Sequence, residues 1–295
     1  MRSSVKKRIF HVIVFFLVST VIVSAVQLAR SHQWRSDDLT VWIFDVGQGD
    51  AIFIDGPETQ VLIDGGPSGV VLEKLNAVLP FWDRKIDVMI NTHPHADHLV
   101  GLVHALEFYL FNDIYTAEQP YRSEVYGRFD TRTQEELLLA GDTIDLGEGA
   151  YLEVLWPNGS LSNQFLDDPN DGSIVLALYY GETSVLLTGD IGIEQELAMI
   201  ENPPPFQGGA GGGYQFDILK IGHHGSITSS HSDFLELISP DYSIISSGEN
   251  SYGHPSPIVL DRLEAIGSTT LRTDVDGDIR IWSDGGEPRV SIFSL

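Results

Sequence analysis

The segment "NTHPHADHLVG", Asn91–Gly101, decides how the rest of this chain is read. Three histidines and an aspartate, His93, His95, Asp97 and His98, fall within six consecutive residues. Before them runs "IDVMINT" (Ile86–Thr92), short, apolar and β-branched, which predicts a buried strand. After them, Leu99, Leu102, Val103 and Leu106 of "HLVGLVHALEFYLF" keep one face apolar, which predicts a helix. His93 and His95 are two apart and point the same way from extended backbone. Asp97 and His98 lie where strand becomes helix. One loop therefore offers two ligand pairs to two adjacent metal positions. Imidazole and carboxylate donors suit zinc, manganese or iron.

Two cations side by side need a bridging anion. "VLLTGD" supplies one: Asp190 follows an apolar strand and a turn glycine, although it could also cap the helix expected in "IGIEQEL". "IGHHGS" supplies imidazoles. His223 and His224 are adjacent and cannot enter one site together from an extended chain. One would bind metal, and the other would line the pocket as hydrogen-bond donor or proton shuttle. His254, in the rigid loop "YGHP", is a further pocket candidate or a surface turn residue. Asp45 and Gln48 of "DVGQGD" are either near the site or plain turn residues. Tyr252 is a candidate substrate contact.

The chain has 295 residues and no cysteine. Disulfides and thiolate sites are excluded, so a metal must sit on His, Asp or Glu. Residues 1–35 hold six Lys/Arg and no acid, leaving 11 basic against 42 acidic residues, a formal net of −31 for the remainder. That balance argues against tight, unspecific nucleic-acid binding, which needs a basic footprint.

Arg2, Lys6, Lys7 and Arg8 precede an apolar run from Ile9 to Ala29. Its length just suffices to span a bilayer. The basic flank would stay cytoplasmic, which places the rest outside. The expectation is a single-pass anchor over residues 1–35, or a signal peptide cleaved near Val23–Ala25, with one domain over 36–295. No protein partner is evident.

Further strands are expected at Leu39–Val46, Asp50–Asp55, Gln60–Gly66 and in "YLEVLWP", "SIVLALYYG", "TSVLLTGD", "FDILKIG" and "DYSIISSG". Helices are expected in "VLEKLNAVL", "IEQELAMIE", "SDFLELIS" (capped by Ser232 or a neighbouring serine) and "SPIVLDRLEAIG". Asn112 to Gly149 reads as polar and irregular, with one helix near Thr133–Ala140. This stretch and the glycine-rich loop 201–215 are expected to rim the site. The pattern is that of a layered α/β domain, two sheets packed inside helices.

HxHxDH, then TGD, then HHGS resembles the metallo-β-lactamase superfamily. With "DVGQGDAIFID", "LIDGG" and "YGHP" the wording is similar to the C-terminal domain of ComEC-type competence proteins, over Leu39 to Leu295. The resemblance implies an αββα sandwich and hydrolysis by a hydroxide bridging two divalent metal ions, zinc or manganese. By position it implies one metal on His93, His95 and Asp190, and a second on Asp97, His98, Asp190 and His224. Asp97, His223 and His254 would take part in catalysis, and Asp64 would orient a ligand histidine or serve as a turn residue. The implied substrate is a phosphodiester, including DNA; lactams, other esters and a weakly metal-binding, non-catalytic module in DNA uptake are the alternatives. One departure stands out. Many members carry another histidine before the bridging aspartate. The histidine here is His104, which reads as a packing residue, so Asn170 or Asp171 is the substitute to consider.

Overall fold

The computed structural model describes residues 11, 13–21, 38–130, 132–201 and 214–294. The domain opens with an antiparallel meander, β1 (Leu39–Ile43), β2 (Ile52–Asp55) and β3 (Gln60–Ile63). Helix α1 (Val70–Val78) leads into β4 (Lys85–Asn91), which pairs parallel to β3. Helix α2 (Ala96–Phe108) leads into β5 (Leu110–Thr116), again parallel. Helix α3 (Glu124–Asp130) precedes the two-residue β6 (Glu136–Leu137).

A second sheet begins with the antiparallel strands β7 (Thr143–Gly147), β8 (Ala150–Trp156), β9 (Val175–Tyr180) and β10 (Thr183–Leu187). Helix α4 (Ile193–Glu201), β11 (Ile218–Lys220), helix α5 (Ser232–Ile238), β12 (Tyr242–Ile245), helix α6 (Pro257–Ala265) and β13 (Thr269–Arg272) extend it in parallel. After the short helix α7 (Thr273–Asp276), strands β14 (Asp278–Ser283) and β15 (Arg289–Phe293) return to the first sheet beside β1. The strand orders are β15-β14-β1-β2-β3-β4-β5-β6 and β13-β12-β11-β10-β9-β8-β7.

Period-two alternation sorts the strand side chains into three cores. Val61, Ile63, Val88 and Ile90 meet Leu176, Leu178, Val185 and Leu187 between the sheets. The intervening Leu62 and Met89 pack on Leu75 of α1 and Leu99 and Leu102 of α2. On the outer side of the second sheet, Val175, Ala177 and Leu186 pack with Leu235 of α5 and Val259 and Leu263 of α6. This is the expected αββα sandwich, and it explains why the central strands read as continuous apolar runs.

The structure corrects several local expectations. Thr133–Ala140 is not helical; the helix lies earlier, at Glu124–Asp130, and Glu136–Leu137 pairs with β5. β5 itself has weak alternation because Asn112 and Asp113 interrupt it, and pairing with β4 makes it a strand. Helix α5 is capped by His231, whose Nδ1 accepts from the Asp233 amide at 3.2 Å, not by a serine. Of the expected anchor, residues 13–21 are helical. Among the described residues no helix is long and apolar enough to cross a membrane; the rest of the expected segment lies outside them. Residues 37–295 form one unit separate from residues 1–36.

Candidate metal centre

The site lies outside the carboxyl ends of β4, β10 and β11, where the chain must leave the sheets and cannot bury its loops in a core. Loop residues after β4 contribute His93 and His95, the first turn of α2 contributes Asp97 and His98, and the turn after β10 contributes Asp190. Gly222–Gly225 forms a 3₁₀ turn after β11.

One carboxylate oxygen gathers the histidines. Asp190 Oδ2 lies 3.2 Å from His98 Nε2, 3.3 Å from His224 Nε2 and 3.9 Å from His93 Nε2. Asp97 Oδ2 stands 3.4 Å from the same His224 nitrogen. Four compact donor groups result among the described residues: His93–His98–Asp190, Asp97–His98–His224, Asp50–Asp190–His224 and Asp50–Asp64–His98. His95 stays outside them, with Nδ1 3.1 Å from His93 Nε2. The N-cap reading of Asp190 does not hold: α4 starts at Ile193, and the carboxylate faces the imidazoles.

The far nitrogens of these rings are held by other groups. His98 Nδ1 contacts Asp64 Oδ2 at 2.8 Å, and His224 Nδ1 contacts the Ser246 carbonyl at 3.1 Å. Each contact fixes the tautomer that leaves Nε2 free. Asp64 has φ 55, a left-handed conformation that aspartate tolerates better than most residues. The turn lets its buried carboxylate pass under His98 while accepting from the Thr92 amide at 2.9 Å and hydroxyl at 2.7 Å. Asp64 is therefore the orienting group of the two readings.

The donor set fits divalent cations. His98 Nε2, His224 Nε2, Asp190 Oδ1 and Asp50 Oδ1 are buried without a hydrogen-bond partner, a costly arrangement unless something occupies the space between them. The field points the same way. Burial disfavours charge on His98 and His224, yet the surrounding carboxylates, Asp190 first, raise both well above the usual histidine range. Burial would likewise raise Asp190 and Asp97, but the imidazoles outweigh it, holding Asp190 well below the carboxylate range and Asp97 at about 2. Such a field favours a cation at the same spot.

His223 and His224 are not extended. Both adopt left-handed backbone, φ 50 and φ 54, in consecutive positions. Strain of this kind persists where the surroundings enforce it, often at functional sites. The turn sends His224 into the donor cluster and His223 to its edge. There His223 Nε2 lies 3.2 Å from Asn170 Nδ2, and its ring is 5.5 Å from that of His254. Burial lowers the pKa of His223 and of His254. Tyr252 is 75% exposed, its ring 5.7 Å from that of His254.

His104 is exposed on α2, so it neither packs as expected nor joins the cluster. Asn170 is buried beside His223 with an unpartnered Oδ1, whereas Asp171 turns to Gln195. Asp45 accepts from the Gly47 amide, as a turn residue does, and Gln48 accepts from the Gly248 amide. Two residues escaped the sequence reading. Lys220 is fully buried at the end of β11 and meets Asp50 Oδ2 at 2.8 Å, while Asp50 Oδ1 lies 3.5 Å from His224 Nδ1. The signal was available: a lysine inside the apolar run "DILKIG" requires a buried acid. Pro120 and Tyr121 rim the site beside His95, as does Phe165 from a segment not expected there; residues 202–213 of the glycine-rich loop lie outside the described residues.

Residues 44–249 match the model of the metallo-β-lactamase superfamily, and the chain belongs to that superfamily. It is 29% identical over 256 residues to the competence protein ComA of Neisseria gonorrhoeae, covering 85% of this chain and 33% of that protein. To ComE operon protein 3 of Bacillus subtilis it is 28% identical over 272 residues, covering 83% of this chain and 33% of that one. The chain thus spans about a third of the length of these relatives. The solved structure of the metallo-β-lactamase fold protein YhfI from Bacillus subtilis superposes with a TM-score of 0.53 at 12% identity, over 83% of this chain and 100% of that one.

Proposed function

We propose that this domain is a metal-dependent phosphodiesterase acting on nucleic acid. The observation that carries the reading is the convergence of His93, His98 and His224 on one oxygen of Asp190. His93 and Asp190, completed by His95 only if its ring turns in from beside His93, would hold one divalent cation; Asp97, His98, Asp190 and His224 would hold the other. A pair of zinc or manganese ions held there would supply a water of near-neutral pKa and polarise a phosphoryl oxygen. The protein's own part is orientation. Asp64 and the Ser246 carbonyl lock the imidazoles. His254, whose Nδ1 is buried and unpartnered beside His223, would hydrogen-bond a leaving oxygen. The relatives named for competence support nucleic acid as the polymer. The formal net charge of −31 after residue 35 opposes it, so the metals must offset the repulsion locally.

The missing third histidine supports a second reading, a weakly metal-binding module. Turnover of bis(p-nitrophenyl) phosphate by residues 36–295, with manganese or zinc and with His95→Ala beside the wild type, separates the two. Metal-dependent turnover that collapses in the variant is expected. Absence of both metal uptake and turnover overturns the enzyme reading, and hydrolysis of a chromogenic lactam alone would move the substrate class.

A further inference from the structure

The rim beside His95 holds a cleft of about 540 Å³ that the metal cluster does not use. Its walls include Tyr121, Arg122, Phe165 and Pro169. Tyr121 meets the His95 ring nearly at right angles, 77° with centroids 5.8 Å apart, so an occupant of the cleft lies next to the metal ligands. Phe165 is 65% exposed and packs in none of the three cores. The Arg122 guanidinium stands over its ring, 5.2 Å from the centroid. Arg128, Arg132 and Arg272 are each paired with a carboxylate. Arg122, by contrast, has no ion pair among the described residues. Asp167 lines the same cleft.

We propose that this cleft is a stacking subsite for single-stranded nucleic acid: Tyr121 and Phe165 receive a base, and Arg122 contacts the phosphate beside it. The proposal rests on the phosphodiesterase reading and adds where the polymer lies. An exposed phenylalanine and a half-buried tyrosine next to an unpaired arginine are the combination that holds unpaired bases, because every base has a face to stack and every linkage carries a charge. They also answer the charge objection, since stacking does not depend on a basic surface. Duplex would not fit this mode, its bases being already stacked.

The test is the binding of a labelled, hydrolysis-resistant phosphorothioate octadeoxythymidylate, followed by fluorescence anisotropy in manganese. The wild type is compared with Arg122→Ala and Phe165→Ala, all three checked for fold by circular dichroism. Both changes are at exposed positions. Each should weaken binding about tenfold or more. An oligomer with abasic units should bind the wild type about as weakly as the thymidine oligomer binds Phe165→Ala. Arg289→Ala, on the edge strand β15 with its guanidinium over Trp282 of β14, controls for the loss of one charge. Equal affinity of variants and wild type, or tight binding of the abasic oligomer, overturns the subsite. So does a wild type that turns over bis(p-nitrophenyl) phosphate yet does not bind the oligomer. Binding that depends on the cleft without any phosphodiester turnover would instead leave the subsite standing and remove the enzymatic reading.

Discussion

The carboxylate of Asp64 lies 2.8 Å from Nδ1 of His98, with the ring's other nitrogen aimed at Asp190. A residue that need not touch substrate thus decides which face of a ligand histidine is offered. Asp64→Asn keeps the shape and loses the charge. Outer partners of this kind are worth about 10–100-fold in metal affinity. Chelator competition on the purified variant should show a loss of that size, with the circular dichroism spectrum unchanged. Unaltered affinity would mean that the contact is only structural.

Lys220 and Asp50 form a buried pair at 2.8 Å. Lys220→Met removes the ammonium partner of Asp50 and leaves only His224 beside its buried charge; losing one partner costs about 3–5 kcal/mol in other buried pairs. Urea unfolding should place the variant lower by about that amount. Adding Asp50→Leu should recover part of the loss, because the orphaned charge is then gone. A double variant no more stable than the single one contradicts this.

Gly101 packs its backbone against Gly65. A Cβ there would fall 1.7 Å from the Gly65 carbonyl oxygen, so backbone must move. Gly101→Ala should cost about 1–3 kcal/mol or more. The displaced turn carries Asp64, so metal affinity should fall in the same variant. Gly127→Ala, inside helix α3 and meeting nothing within 4 Å, is the contrasting case and should stabilise by about 0.5–1 kcal/mol in the same unfolding experiments.

Glu196 of α4 is buried and accepts from the Ser230 amide at 2.6 Å and the His231 amide at 2.7 Å. Burial, only partly opposed by those amides and Arg262, raises its pKa from 4.5 to about 7. The folded state therefore holds this proton more tightly than the unfolded chain. The contribution is full below pH 4.5 and is lost as pH rises through about 7, on the order of 3 kcal/mol. Subtracting the Glu196→Gln stability profile from that of the wild type should leave a fall across that window. A flat difference would refute the assignment.

The sequence by itself determined the layered fold and most of the donor set. Strands buried on both faces must be apolar throughout, and HxHxDH at the end of such a strand places ligands locally, within a few bonds of one another. It could not decide what depends on distant segments meeting. Asp64 was ambiguous until His98 lay above it. The paired histidines were separated by two consecutive left-handed residues, not by extended backbone. β5 is a strand because β4 offers it hydrogen bonds, despite Asn112 and Asp113. The partnership of Lys220 with Asp50, and the cleft between Tyr121 and Phe165, join residues far apart in the chain. Periodicity reports which face of an element is buried. Only the packed tertiary structure reports what lies across from it.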